Sequence, residues 1–166
     1  MMMEEFYELA QQVGAALLAR QWQLATAESC TGGMVSAAVT EVAGSSAWFD
    51  RAFVTYSNEA KVGLLDVSQL TLHAHGAVSE QTVREMLAGA LAHSVAHVVV
   101  AISGIAGPSG GTSEKPVGTV CFGWQRRGLA PVCVTRHLDG DRSAVRKAST
   151  QIALNGILDL LAQHTR

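Results

Sequence analysis

Apolar residues at Phe6, Leu9, Val13, Ala16 and Leu17 fall at helical spacing, so residues 4–20 are predicted to form an amphipathic helix covering one face of a sheet. Trp22-Gln23-Leu24-Ala25 predicts a short strand, and Met34-Val35-Ser36-Ala37-Ala38-Val39 a helix packed on that sheet. Gly44-Ser45-Ser46 breaks the pattern; Trp48-Phe49 with Ala52-Phe53-Val54-Thr55-Tyr56 then reads as a strand ending at Ser57-Asn58. Residues 59–65 suit a short helix that carries Lys61 one turn beyond Tyr56 and Asn58. Ser79 can cap a long helix whose apolar stripe is Val83, Met86, Leu87, Ala90 and Leu91. His97-Val98-Val99-Val100-Ala101-Ile102 is too continuously apolar for a half-exposed strand, which predicts a central strand covered on both faces and ending at Ser103-Gly104. The loop from Ile105 to Pro116 is rich in Gly, Pro and Ser, and its length suggests function. Residues 117–124 and 129–138 predict an antiparallel hairpin around Gln125-Arg126-Arg127-Gly128. Asp139-Gly140-Asp141-Arg142-Ser143 opens a last helix that turns Val145, Ala148, Ile152, Ile157, Leu158 and Leu161 inward. The order αβαβααβββα predicts one domain over residues 1–166, a three-layer α/β/α sandwich with a central mixed sheet.

Composition narrows the class of function. With 48% hydrophobic and 16% charged residues the chain has the material for a packed core, and its formal net charge of −2 gives no support for nucleic-acid or anionic-membrane partners. No apolar run approaches the roughly 20 residues that cross a bilayer. The acidic start, Met1-Met2-Met3-Glu4-Glu5-Phe6-Tyr7, lacks the basic and apolar regions of a secretory signal, so the expected location is the cytoplasm. Cys30, Cys121 and Cys133 form an odd set without zinc-type spacing. His73 with His75, and His93 with His97, are separated like metal ligands but lack a carboxylate or thiol cluster, so neither a metal nor a cofactor is expected.

Candidate chemistry gathers at the ends of predicted elements: residues 29–33, 56–61, 103–111 and 139–142. In α/β sheets such ends converge on a ligand crevice. Ser29, between a strand and a helix in Thr26-Ala27-Glu28-Ser29-Cys30-Thr31-Gly32-Gly33, reads either as an N-cap or as a nucleophile beside unpaired helix-start N–H groups able to stabilise an oxyanion. Thr31, Gly32 and Gly33 are candidates for those N–H contacts. The Cys30 thiol is intrinsically the better nucleophile, and a helix N-terminus would depress its pKa, but as the neighbour of Ser29 it should point elsewhere. Glu28 either acts electrostatically or ties down the turn, and the structural role is favoured. Arg142 gains nothing from the dipole at a helix start, which makes it a candidate for an anionic group such as phosphate. The Gly107-Pro108-Ser109-Gly110-Gly111 loop can offer N–H groups, yet no Gly-Lys-Ser or Gly-Lys-Thr follows, which disfavours a nucleoside triphosphatase.

Taken together, Thr26-Ala27-Glu28-Ser29-Cys30-Thr31-Gly32-Gly33, Tyr56-Ser57-Asn58 with Lys61, Ser103-Gly104-Ile105-Ala106-Gly107-Pro108, Lys115-Pro116-Val117-Gly118 and Gly140-Asp141-Arg142 resemble the CinA C-terminal domain family over almost the whole chain. The resemblance implies hydrolysis of nicotinamide mononucleotide to nicotinic acid mononucleotide and ammonia, with Ser29 as nucleophile, Lys61 as its base and no metal. By composition alone Lys61 would be a solvated surface charge. The resemblance further implies Tyr56 as a residue that orients Lys61 or contacts substrate, and Ser103 as a hydroxyl near the reacting group. Asn58, Gly104 and Gly107 join Thr31, Gly32, Gly33 and Arg142 as substrate-binding candidates. Ser46 could add another hydroxyl but ranks first as loop. Two other readings stand beside this one: a nucleotide-binding or regulatory module without turnover, and an amidase for another small amide. Many relatives carry an additional N-terminal domain, so this chain is expected to act alone or to self-associate. A homodimer is expected from the apolar composition and an exposed-looking Trp48-Phe49 pair.

Overall fold

Five strands form one mixed sheet in the order β2-β1-β3-β4-β5, in a computed structural model that describes residues 4–163. Met1, Met2 and Met3, read above as part of a signal-free N-terminus, lie outside the described residues. The strands are β1 (Leu24–Glu28), β2 (Phe49–Val54), β3 (Val98–Gly104), β4 (Thr119–Arg126) and β5 (Val132–His137). β1 pairs in parallel with β2 and β3, whereas β4 runs antiparallel to both β3 and β5. The helices are α1 (Tyr7–Leu18), α2 (Met34–Thr40), α3 (Asn58–Leu65), α4 (Gln69–His75), α5 (Glu80–Ala92) and α6 (Arg142–Gln163).

Alternation along the strands sorts the core into two halves. Leu24, Val98, Val100, Ile102, Val120 and Phe122 face α1, α2 and α6, while Ala25, Ala27, Val99, Ala101 and Cys121 face α5 and the ends of α3 and α4. The predicted three-layer sandwich is therefore present. β1, β2, β3 and β5 all finish at one sheet edge, and α6 starts there.

Three local differences from the sequence reading have physical causes. First, β1 occupies residues 24–28 rather than 22–25. Thr26 and Glu28, polar enough to read as turn, are fully buried in the sheet because the Thr26 hydroxyl donates to the Glu28 carboxylate at 3.1 Å. Second, α4 was not anticipated. Its seven residues carry no buried face, and Ser68, whose hydroxyl accepts from Leu70 N–H, and Gly76, with φ of 77°, delimit it instead. Third, Trp48 is not exposed: it is 1% accessible and packs so closely on α1 that a methyl group at Gly14 would stand 2.6 Å from its ring. The aromatic pair thus gives no argument for self-association.

Candidate active site

The turn that follows β1 is built around a buried carboxylate. Glu28 accepts from Thr26 Oγ1 and Thr31 Oγ1, at 3.1 and 2.8 Å, and from the first-turn N–H groups of Val35 and Ser36 in α2, at 2.9 and 3.0 Å. An ionised carboxylate at a helix N-terminus satisfies both the orphan donors and the helix dipole. Glu28, not Ser29, therefore caps α2 and takes the N–H groups of Val35 and Ser36. The residue preceding α2 is Gly33, whose φ of 98° suits glycine.

Ser29 follows β1 and extends its pairing by one bond, its N–H donating to Ile102 O at 3.0 Å. Across the cleft α3 begins with Ser57, whose hydroxyl accepts from Ala60 N–H at 3.0 Å. That cap starts a helix in which Lys61 points inward. Lys61 is 1% exposed, and its Nζ lies 2.9 Å from Ser29 Oγ and 2.8 Å from the Thr55 carbonyl oxygen. Burial lowers its pKa, since desolvation penalises the ammonium; a small opposing influence comes from Cys30. Among the described residues no carboxylate forms an ion pair with it. A desolvated amine touching a serine hydroxyl is equipped to accept that hydroxyl's proton. Thr55, which reads from sequence as part of a strand, is fully buried, and its Oγ1 is a buried polar atom without a hydrogen-bond partner beside the Ser29–Lys61 contact.

Cys30 borders the same cleft but packs into the core. It belongs to the core half facing α1, α2 and α6, and burial pushes its thiol up to about 11. The depressed value expected from a helix N-terminus is therefore reversed, because desolvation outweighs the hydrogen bond from its own backbone N–H and the attraction of Arg146 and Lys61.

Ser29, Lys61, Tyr56, Asn58, Ser103, Gly104 and Arg142 line one cleft of about 260 Å³, together with Cys30, Ala77, Val78 and Ala106. Ser103 is buried and donates to Ala77 O at 2.7 Å, which leaves its oxygen as an acceptor. Tyr56 is 61% exposed and does not hold Lys61; its hydroxyl accepts from Arg142 Nη2 at 2.8 Å. Arg142 also donates through Nη1 to Gly107 O at 2.8 Å, so Gly107 contributes a carbonyl, not the N–H expected of its loop. Arg142 and Ala106 are shared with an adjoining pocket of about 470 Å³ walled by Pro108, Val117, Gly140, Asp141 and Ser143.

None of the remaining candidates presents a side chain to the cleft. The Thr31 side chain is fully buried on Glu28, and the Gly32 N–H is taken by Ser29 O at 3.0 Å. Gly33 does not line the cleft. Ser46 lies in a 3₁₀ turn, Ser45–Ala47, before β2 and thus at the opposite sheet edge. Arg146, not singled out from sequence, donates to the carbonyl oxygens of Cys30 and Thr31 at 3.1 and 3.2 Å. Its signal was its position four residues after Arg142, on the same helix face. His97 accepts from Gln23 N–H and His93 pairs with Asp66, so this helical-spacing pair is divided between separate partners.

A family model described as the CinA C-terminal domain matches residues 6–161. The chain is 51% identical over 155 residues to nicotinamide-nucleotide amidohydrolase PncC of Enterobacter agglomerans, covering 93% of this chain and 94% of that one. It is 50% identical over 161 residues to the protein of the same name in Escherichia coli K12, covering 97% and 98%. The crystal structure of competence damage-inducible protein A (ComA) from Klebsiella pneumoniae superposes with a TM-score of 0.92 at 42% identity, covering 96% of this chain and 98% of that one.

Proposed function

The chain belongs to the CinA C-terminal domain family, and on that premise we propose that it hydrolyses the carboxamide of nicotinamide mononucleotide to nicotinic acid mononucleotide and ammonia. The observation that carries this reading is the 2.9 Å contact between Ser29 Oγ and the buried Lys61 Nζ, in a chain half identical to named amidohydrolases. Ser29 Oγ attacks the carboxamide carbon while neutral Lys61 takes its proton. The oxyanion collapses, the C–N bond breaks, and Lys61 returns the proton to the departing ammonia. Water then attacks the resulting ester with Lys61 again as base, releasing the carboxylate and Ser29. The carboxamide enters at the dyad, and the phosphate reaches Arg142, whose guanidinium stands where the cleft meets the adjoining pocket. Tyr56 and Asn58 flank that path, and Ser103 offers its oxygen near the amide.

The test is release of ammonia and nicotinic acid mononucleotide by the purified chain with a chelator present. Because the dyad supplies nucleophile and base, turnover is expected to survive chelation. Ser29→Ala and Lys61→Ala are each expected to lower kcat by about 10³-fold or more, while Cys30→Ala stays within a few-fold of wild type. Loss in Cys30→Ala with survival in Ser29→Ala would overturn the assignment, and binding without turnover would favour the regulatory reading.

A further inference from the structure

At the turn that carries Ser29, the Thr31 N–H donates to no backbone acceptor among the described residues and the Cys30 N–H meets only its own thiol sulfur. Both sit at the end of a short hydrogen-bond relay that starts at one side chain. Arg146 Nε donates to the Cys30 carbonyl, whose peptide carries the Thr31 N–H. Arg146 Nη2 donates to the Thr31 carbonyl, whose peptide carries the Gly32 N–H. The Gly32 N–H donates to the Ser29 carbonyl, whose peptide carries the Cys30 N–H. In a planar trans peptide the N–H and C=O point in opposite directions, so anchoring the carbonyls on the α6 side aims the N–H of the same peptide away from α6. A cationic donor on a carbonyl also polarises that amide and strengthens its N–H as a donor.

We propose that Arg146 is a positioning residue for the amidase reaction: it fixes and polarises the peptides around Ser29 so that the Cys30 and Thr31 N–H groups receive the oxyanion. The inference rests on the serine-nucleophile reading above and assigns the oxyanion donors, since Glu28 takes the Val35 and Ser36 N–H groups at the start of α2. Arg146 itself need not touch substrate. Lysine cannot replace it fully, because one ammonium cannot hold two carbonyls in the same fork.

The test uses Arg146→Ala and Arg146→Lys in the full chain, with Lys147→Ala, a neighbouring cation paired with Glu5 at 3.3 Å, as the charge control. In Arg146→Ala, kcat is expected to fall about 10- to 100-fold with KM within about threefold, somewhat less than deleting an oxyanion donor outright. Added methylguanidinium restores part of that loss, Arg146→Lys falls in between, and Lys147→Ala is unchanged. A second readout needs no nicotinamide substrate: the rate at which a small alkyl fluorophosphonate labels Ser29, followed by intact mass. There the Ser29 Oγ–P bond forms, P–F breaks, fluoride leaves and Lys61 takes the serine proton. This rate is expected to fall in parallel with kcat. Wild-type kcat and labelling in Arg146→Ala would overturn the inference, as would a loss confined to KM or one that tracks unfolding. Wild-type labelling without wild-type turnover would overturn the substrate reading while leaving the role of Arg146 measurable. Absence of both would overturn the serine nucleophile and this inference with it.

Discussion

At the scale of single residues, the proposed chemistry turns on the burial of two side chains, Lys61 and Cys30. Burial lowers the Lys61 pKa and raises that of Cys30, which suits the amine to the proposed role of base and favours the protonated thiol. The rising limb of kcat/KM against pH is therefore expected below the ordinary lysine value of 10.5, with activity lost as pH falls and Lys61 protonates. Stability carries the same sign. The unfolded chain holds the Lys61 proton up to 10.5 and the folded chain releases it earlier, so between the two values folding is increasingly favoured as pH rises. Lys61→Met removes that slope. Chemical denaturation across this window is expected to show wild type gaining stability relative to the variant, and a parallel pair of curves would contradict it. Sequence alone offered Ser29 as either a cap or a nucleophile, and Lys61 only through the family motifs. The inward turn of Lys61 is set by the Ser57 cap and the packing of α3, neither of which leaves a mark in the spacing of residues 59–65.

Among elements, β1 and α2 are joined through Glu28 as much as through the chain. Its four hydrogen bonds link the strand, the turn and the helix start, and no donor in that set remains for substrate. Glu28→Gln keeps the shape but confronts an amide N–H₂ with groups that themselves donate. It is expected to destabilise the fold by about 1–3 kcal/mol, the cost of a buried unsatisfied polar group, as a lowered Tm with the dyad residues unchanged. An unaltered Tm would show that the turn stands without the carboxylate. The same residue explains a misreading of the sequence: Thr26 and Glu28 look like turn because each is polar, and only their mutual bond makes them strand. The short, surface-facing α4 escaped for the opposite reason, having no apolar stripe to announce it. Long elements with clear patterns, the one-sided α1 and α5 and the continuously apolar β3, were legible for the converse reason.

For the molecule as a whole, the sandwich followed from alternating helices and strands, and the convergence of four motif clusters from the parallel strands that end together. What the sequence could not supply was clearance. α5 crosses α3 so closely that a Cβ at Gly89 would overlap the Leu65 carbonyl oxygen. Alanine there gains about 1 kcal/mol in helix propensity, but overpacking costs about 1–3 kcal/mol, so the steric term wins and the two helices move apart. Gly89→Ala is expected to keep its far-UV circular dichroism while kcat drops about tenfold or more, with Ser29 and Lys61 both intact; full activity would show that the spacing has slack. Lys61 reaches Ser29 because one position on a neighbouring helix, remote in sequence from both, has no side chain. The Ser29–Lys61 distance on which the proposed reaction depends is thus gauged by a missing side chain, and a single methyl group is enough to detune it.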